Sequence, residues 1–153
     1  MNSNYYIVCG YSGVGKSTAE QKSKNVFDFE SSIFSHNWDS DNCRNERNAD
    51  FPKNYIDAVC EHMENHHIGI YLLSCHKEVR EELKRRGLSY IIVMPDRHQK
   101  NEYIKRWLKR GSSIEFIQSM SDRWEEMINS CGLDDAPKLY LQQGEYISDV
   151  LPM

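Results

Sequence analysis

The sequence predicts an α/β domain built on a parallel, doubly wound, five-stranded sheet, and three observations carry that prediction. Short apolar runs alternate with stretches of helical periodicity along the whole chain; two of those runs are apolar at nearly every position, as strands covered on both faces must be; and a glycine-rich turn follows the first run directly. A chain of 153 residues suits one such core, so residues 1–153 are read as a single domain.

Residues 5–9, aromatic and β-branched, form the first strand and lead into the turn that holds Gly10, Gly13 and Gly15, inside which a helix begins. A short second strand covers 26–29. The runs 68–73 and 90–94 are the third and fourth strands, and 138–141 is a weaker fifth. Between them, Ile56, Val59, Cys60 and Met63 recur at helical spacing, and Val79 and Leu83 lie four apart ahead of Gly87, a C-terminal cap. A basic helix over 102–110 ends at Gly111. Ser112 followed by Glu115 reads as a capping box opening a further helix, with Ile114, Ile117, Trp124 and Ile128 near one face. Residues 31–54, rich in Ser, Asn and Asp, are the least regular and read as a functional insertion rather than a domain boundary.

Lys plus Arg number 19 against 23 Asp plus Glu, and the net charge of −4 gives no general attraction for nucleic acid or an anionic membrane. Any anion site must therefore be local. No apolar run is long enough to cross a bilayer and the first residues lack a leader pattern, so a cytoplasmic protein is expected, monomeric or weakly dimeric. Cys9, Cys43, Cys60, Cys75 and Cys131 are odd in number without a C-x-x-C pair, which predicts reduced thiols.

The local anion site is the glycine turn. Gly10-x4-Gly15-Lys16-Ser17 matches the Walker A pattern, in which glycines let backbone N–H groups wrap phosphate oxygens at a helix N-terminus. Gly10, Ser12, Gly13, Val14, Gly15, Lys16, Ser17 and Thr18 are the expected nucleotide-binding residues. Lys16 is expected to reach the β- and γ-phosphates, and the Ser17 hydroxyl to ligate Mg²⁺. A GTPase would need a base-reading N/TKxD run, which the chain lacks, and a helicase or transport ATPase is usually longer. A small phosphotransferase remains, and it needs a lid and a second-substrate site.

Both have candidates. In the segment 96–112, Tyr103, Arg106, Trp107 and Arg110 share one side of a helix, so Arg106 and Arg110 are candidates for stabilising a transferring phosphoryl group, with Arg123 as a third cation. In the insertion 31–54 and just beyond it, Arg44 and Arg47 are candidates for an acceptor phosphate, and Phe51 and Tyr55 for stacking on a base. Asp28 and Glu30 leave the second strand at the sheet's carboxyl edge, the usual ligand side. Asp28 is the choice for Mg²⁺ or for a bond to substrate. After the third strand, where many P-loop proteins carry a Walker B acid, this chain has Ser74-Cys75-His76, and His76 is a weaker polar candidate.

The early Walker A, Asp28-x-Glu30-Ser-Ser, Asp50-Phe51-Pro52-x-Asn54-Tyr55, Ser74-x-His76-x-x-Val79-Arg80, and Pro95-Asp96 with Tyr103-x-x-Arg106-x-x-x-Arg110-Gly111 span nearly the whole chain. In this order they resemble the adenylate-kinase-like nucleoside-monophosphate kinase group of P-loop proteins, especially the short members encoded by phages and prophages. That resemblance implies a three-layer α/β/α sandwich with a short helical lid, ATP and Mg²⁺ as cofactors, and a small nucleotide-like acceptor. The expected reaction moves the ATP γ-phosphate to a nucleoside or deoxynucleoside monophosphate. Asp28-x-Glu30 is also similar to the paired acids of shikimate-kinase-like enzymes, so a shikimate- or gluconate-kinase-like activity stays open. So does a nucleotide-binding regulator without transfer, because the acid after the third strand is missing.

Cys60, His62, His66 and His67 suggest a metal site by spacing alone, but they lie beside the apolar stripe and read as solvated histidines. Trp38, Trp107 and Trp124 read as packing residues rather than a base-stacking platform.

Overall fold

The computed structural model describes residues 4–38, 44–66 and 68–152, without the side chains at 4, 33, 36–38 and 44–46. Cys43 and His67, and the side chains of Trp38 and Arg44, lie outside that description. The strands β1 (Asn4–Gly10), β2 (Val26–Asp28), β5 (Ile68–Ser74), β6 (Ile91–Pro95) and β7 (Lys138–Leu141) form one sheet in the order β2-β5-β1-β6-β7. All four pairings in it are parallel. The carboxyl ends of the five strands therefore share one edge.

The core is why these runs are strands. Ile7, Val8 and Cys9 on β1, Leu72 and Leu73 on β5, and Ile92, Val93 and Met94 on β6 are all buried, as central strands with helices on both faces require. The flanking helices are α1 (Lys16–Lys22), α3 (Lys53–Asn65), α4 (Lys77–Arg85), α5 (Lys100–Lys109), α6 (Ile114–Asp122) and α7 (Trp124–Leu133), with one-turn helices α2 (Ser32–Ser35) and α8 (Ile147–Val150). Helix α3 buries Tyr55, Ile56, Val59 and Met63, so the spacing read from the sequence marks its inner face. Gly87 and Gly111 follow α4 and α5 at φ 72° and 84°, the left-handed conformation that ends a helix.

The helical region after Gly111 differs from the expectation. The cap is Ser113, whose Oγ accepts from the Phe116 N–H at 3.1 Å, while Ser112 Oγ accepts from Arg110 Nε at 2.8 Å. Ile114 is 80% exposed and takes no part in the core. The chain breaks at Arg123 (φ −99°, ψ 9°), which separates α6 from α7, so Trp124 and Ile128 pack from a second helix. The insertion holds α2 and a small antiparallel pair, β3 (His36–Trp38) and β4 (Arg44–Arg47), in a sheet of its own.

A buried ion pair ties the two ends of the fold. Arg80 on α4 donates to Asp134 Oδ2 at 2.7 Å and, through Nε, to the Cys75 carbonyl at 2.9 Å, so it also pins the turn after β5. Burial pushes the Asp134 pKa up, but the Ala136 N–H, Arg80, Tyr90 and Lys84 outweigh it and hold the carboxyl well below its usual range. Cys9, Cys60, Cys75 and Cys131 are free thiols. Among the described residues no helix is long and apolar enough to cross a membrane.

His62 is not merely solvated. It stacks on His66 with ring centroids 3.8 Å apart, places Nδ1 2.7 Å from the Tyr71 hydroxyl, and touches Phe27 and Phe29. No group of three metal-ligating side chains forms among the described residues.

Candidate active site

The turn between β1 and α1 is held open by glycines that no other residue replaces cheaply. Gly13 and Gly15 have φ of 97° and 94°, and a Cβ on Gly13 would stand 3.1 Å from Trp107 Nε1. The loop's carbonyls are occupied from behind: Trp107 Nε1 donates to Ser12 O at 3.2 Å, Arg106 Nη1 to Gly13 O at 3.0 Å, and the Ile147 N–H to Val14 O at 2.8 Å. Lys16 Nζ donates to Gly10 O at 2.8 Å. Among the described residues nothing accepts from the N–H groups of Gly13 and Gly15. Such a turn, with donors spare and carbonyls committed, has the geometry of an anion cradle.

The cradle opens into a cleft of about 720 Å³ at the carboxyl edge of the sheet. Gly10, Ser12, Gly13, Gly15, Lys16, Ser17 and Thr18 line it. Val14 does not: its side chain is buried beneath the loop and its N–H bonds to Tyr11 O at 3.2 Å. It is a packing residue.

Asp28, Glu30 and His76 face the cradle across the same cleft. Burial pushes the Asp28 carboxyl up to about 6; Lys16 opposes that, while Glu30 and Glu20 add to it. Asp28 Oδ1 and the neighbouring Ser74 Oγ are buried without a hydrogen-bond partner. Glu30 Oε1 accepts from the Ser32 N–H at 3.1 Å, which fixes the turn after β2. His76 begins α4 without capping it, and burial lowers its pKa, so it is the neutral imidazole that faces the cleft.

The segment 96–112 divides into a fixed and a facing part. Tyr103 and Trp107 are fully buried and Arg106 is 9% exposed. The Arg106 guanidinium lies between the rings of Tyr103 and Tyr146, 4.5 and 4.0 Å from their centroids, and also donates to Glu145 O at 2.7 Å. It braces the loop. Arg110 and Lys109, at the end of α5, line the cleft, and Arg110 Nη2 donates to Ser12 Oγ at 3.0 Å.

Four expected contributors fall elsewhere. Arg123, at the α6–α7 break, is half exposed beside Glu126 and outside the cleft lining. Arg47 pairs with Glu78 and lies over Phe51. Phe51 is buried, and Tyr55 is fully buried with its hydroxyl donating to Phe29 O, so neither offers a face to a base. Both sit on the inner side of the α3 start because the pattern that suggested stacking is also a core pattern. Conversely, Tyr146, Ser148 and Asp149 line the cleft from the C-terminal segment, and Phe116, Met120 and Met127 add its apolar wall. No motif marked them; only the Ile147 bond to the loop brings that segment in.

No family model matches the chain, and no curated protein matches it. A solved structure, the tunicamycin resistance protein of Deinococcus radiodurans, is similar at a TM-score of 0.56 and 16% identity over 91% of this chain and 86% of that one. The fold is P-loop NTPase-like.

Proposed function

We propose that the chain is an ATP-dependent phosphotransferase acting on a small acceptor. The observation that carries this reading is the shared cleft: a glycine cradle with Lys16 on one side, and the unpartnered Asp28 Oδ1 and Ser74 Oγ on the other. The cradle donors and Lys16 suit the terminal phosphates of ATP, and Arg110, tied to Ser12, suits the charge that builds on the transferring group.

Mg²⁺ fits the donors present. Ser17 lines the cleft next to Lys16 and supplies a hard hydroxyl oxygen of the kind such an ion takes alongside water, with Asp28 reached only through that water. When bound, the ion offsets charge on the ATP phosphates.

The resemblance implies a nucleoside or deoxynucleoside monophosphate as acceptor, whose phosphate needs a cation on the β2 side. A specific observation favours a hydroxyl acceptor instead. Asp28 and Glu30 line that side, and an Asp28 carboxyl raised to about 6 is well matched to taking a proton from a hydroxyl near neutral pH. That supports the shikimate- or gluconate-kinase-like reading.

The test is ADP release from MgATP with a panel of ribo- and deoxynucleoside monophosphates, shikimate, gluconate, tunicamycin and a 5′-hydroxyl oligonucleotide. Tunicamycin enters because the similar structure carries its name. Stimulation by a hydroxyl compound is the expected result, and stimulation by a monophosphate restores the nucleotide acceptor. ATP binding with silence across the panel refutes transfer and leaves a regulator.

A further inference from the structure

The carboxyl ends of β2 and β5 separate at the point where Asp28 and Ser74 stand. Up to Asp28 the two strands pair in parallel, Asp28 opposite Leu72, while β5 goes on pairing with β1 as far as Ser74 opposite Gly10. Parallel rungs recur at every second residue of a strand. Ile70 N donates to Asn25 O at 2.8 Å and Phe29 N to Leu72 O at 3.0 Å. Continuing that pattern, the next rung from β5 runs from Ser74 N to Phe29 O.

It is not made directly. The Tyr55 hydroxyl, from the first turn of α3, takes the place of the rung: it accepts from Ser74 N at 3.3 Å and donates to Phe29 O. One hydrogen bond of about 2.9 Å is thus replaced by two in series, which keeps both backbone groups satisfied while the strands stand further apart. The orphaned Asp28 Oδ1 and Ser74 Oγ belong to the residues flanking this bridge, and both residues line the cleft. Tyr55 itself is fully buried, braced by Phe34 and Phe51 with ring centroids 5.3 and 5.8 Å away, so the hydroxyl has one position available.

We propose that Tyr55 is a positioning residue for phosphotransfer: its hydroxyl is a wedge in the sheet that sets the width of the slot in which Asp28 and Ser74 meet the acceptor. The proposal rests on the phosphotransferase reading for its effect on turnover, but the wedge itself is a property of the backbone. Tyr55 touches neither substrate nor the cradle. Its removal should therefore act on the acceptor and spare ATP.

The experiment compares the wild type with Tyr55→Phe, which removes only the oxygen, and with Val59→Ala, which removes buried packing from the same helix and leaves the hydroxyl in place. Two readouts are taken. Amide hydrogen exchange without any ligand should quicken at Ser74 in Tyr55→Phe by roughly tenfold relative to Ile70, and should keep its wild-type ratio in Val59→Ala. Kinetics with whichever panel compound turns over should show the acceptor KM raised roughly tenfold in Tyr55→Phe, with the Kd for MgATP within about twofold of wild type. Val59→Ala should lower Tm without moving either constant. An unchanged Ser74 exchange ratio in Tyr55→Phe overturns the wedge, and equal changes in the two variants reduce it to ordinary core packing. Faster Ser74 exchange with an unchanged acceptor KM overturns its role in the site. A wild type silent toward the whole panel refutes the phosphotransferase reading, while the exchange arm still decides the wedge.

Discussion

Replacing Asp28 by Asn should make the protein more stable and less active, and the two effects should separate by pH. Burial raises the folded-state carboxyl to about 6, against roughly 3.9 in an unfolded chain. Between those values the folded protein holds a proton that the unfolded chain has released. Stability therefore falls as pH rises through that window, and the full cost is present above it. Two pKa units correspond to just under about 3 kcal/mol, and screening of a side chain that borders an open cleft reduces this to about 1–2 kcal/mol. Asn resembles the protonated carboxyl and escapes the cost. Thermal unfolding should then show Asp28→Asn melting about 3–6 °C above wild type at pH 8, with the gap closing as pH falls below about 4, where both states carry the proton. Turnover should fall by about a hundredfold or more if Asp28 takes the acceptor's proton. A gap of the same size at both ends of the pH range, or a variant less stable at pH 8, refutes the argument that the site keeps Asp28 at a cost.

Three other substitutions test the cradle and its brace. Lys16→Ala should abolish ADP release, by about a hundredfold or more, and weaken ATP binding measured by calorimetry. Arg110→Ala should lower kcat by roughly tenfold or more while shifting the ATP Kd by less than about threefold, because its partners in the resting protein are the Ser12 and Ser112 hydroxyls rather than the loop amides; normal turnover removes Arg110 from the catalytic set. Gly13→Ala places a Cβ at φ 97° and 3.1 Å from Trp107 and Tyr103, a cost of about 2 kcal/mol from the left-handed backbone alone, so Tm should drop by about 4–8 °C with a parallel loss of ATP affinity.

The strands and the cradle were legible because each is specified by neighbouring residues. Continuous apolar runs with β-branched residues marked β1, β5 and β6, and the Walker A glycines marked the turn by their own conformational need. What depended on distant partners was not legible. Arg80 and Asp134 are 54 positions apart and nothing in either neighbourhood foretells their pairing. Arg106 read as a cation for the transferring phosphoryl group, and nothing in its neighbourhood foretold that two carbonyls and two tyrosine rings from three parts of the chain hold it. Phe51 and Tyr55 showed the same ambiguity from the other side: an aromatic beside an arginine can face a base or the core, and only packing decides. The capping error of one residue, Ser112 for Ser113, has a local cause, since both serines precede an acidic or apolar helical start and only the φ/ψ of the pair selects the cap.

The brace also explains what α5 contributes to the loop in the absence of any anion. A cradle works if its N–H groups are aimed at the anion without waiting for it, because each group ordered on binding subtracts from affinity. Here the ordering is done by the fold. Trp107, Arg106 and the Ile147 N–H take the carbonyls of three successive loop residues, Ser12, Gly13 and Val14, which turns the peptide planes so that donors are left for the cleft. Two of those three clamps come from the segment expected to act as a lid. A helix whose inner face holds the loop cannot swing away as a unit without releasing it, so any closure over substrate falls to the last turn of α5, where Lys109 and Arg110 face the cleft beyond the last buried anchor at Trp107. The sequence spacing that groups Tyr103, Arg106, Trp107 and Arg110 on one side of the helix thus serves two purposes, Trp107 and Arg106 holding the loop while Arg106 and Arg110 line the cleft beside it.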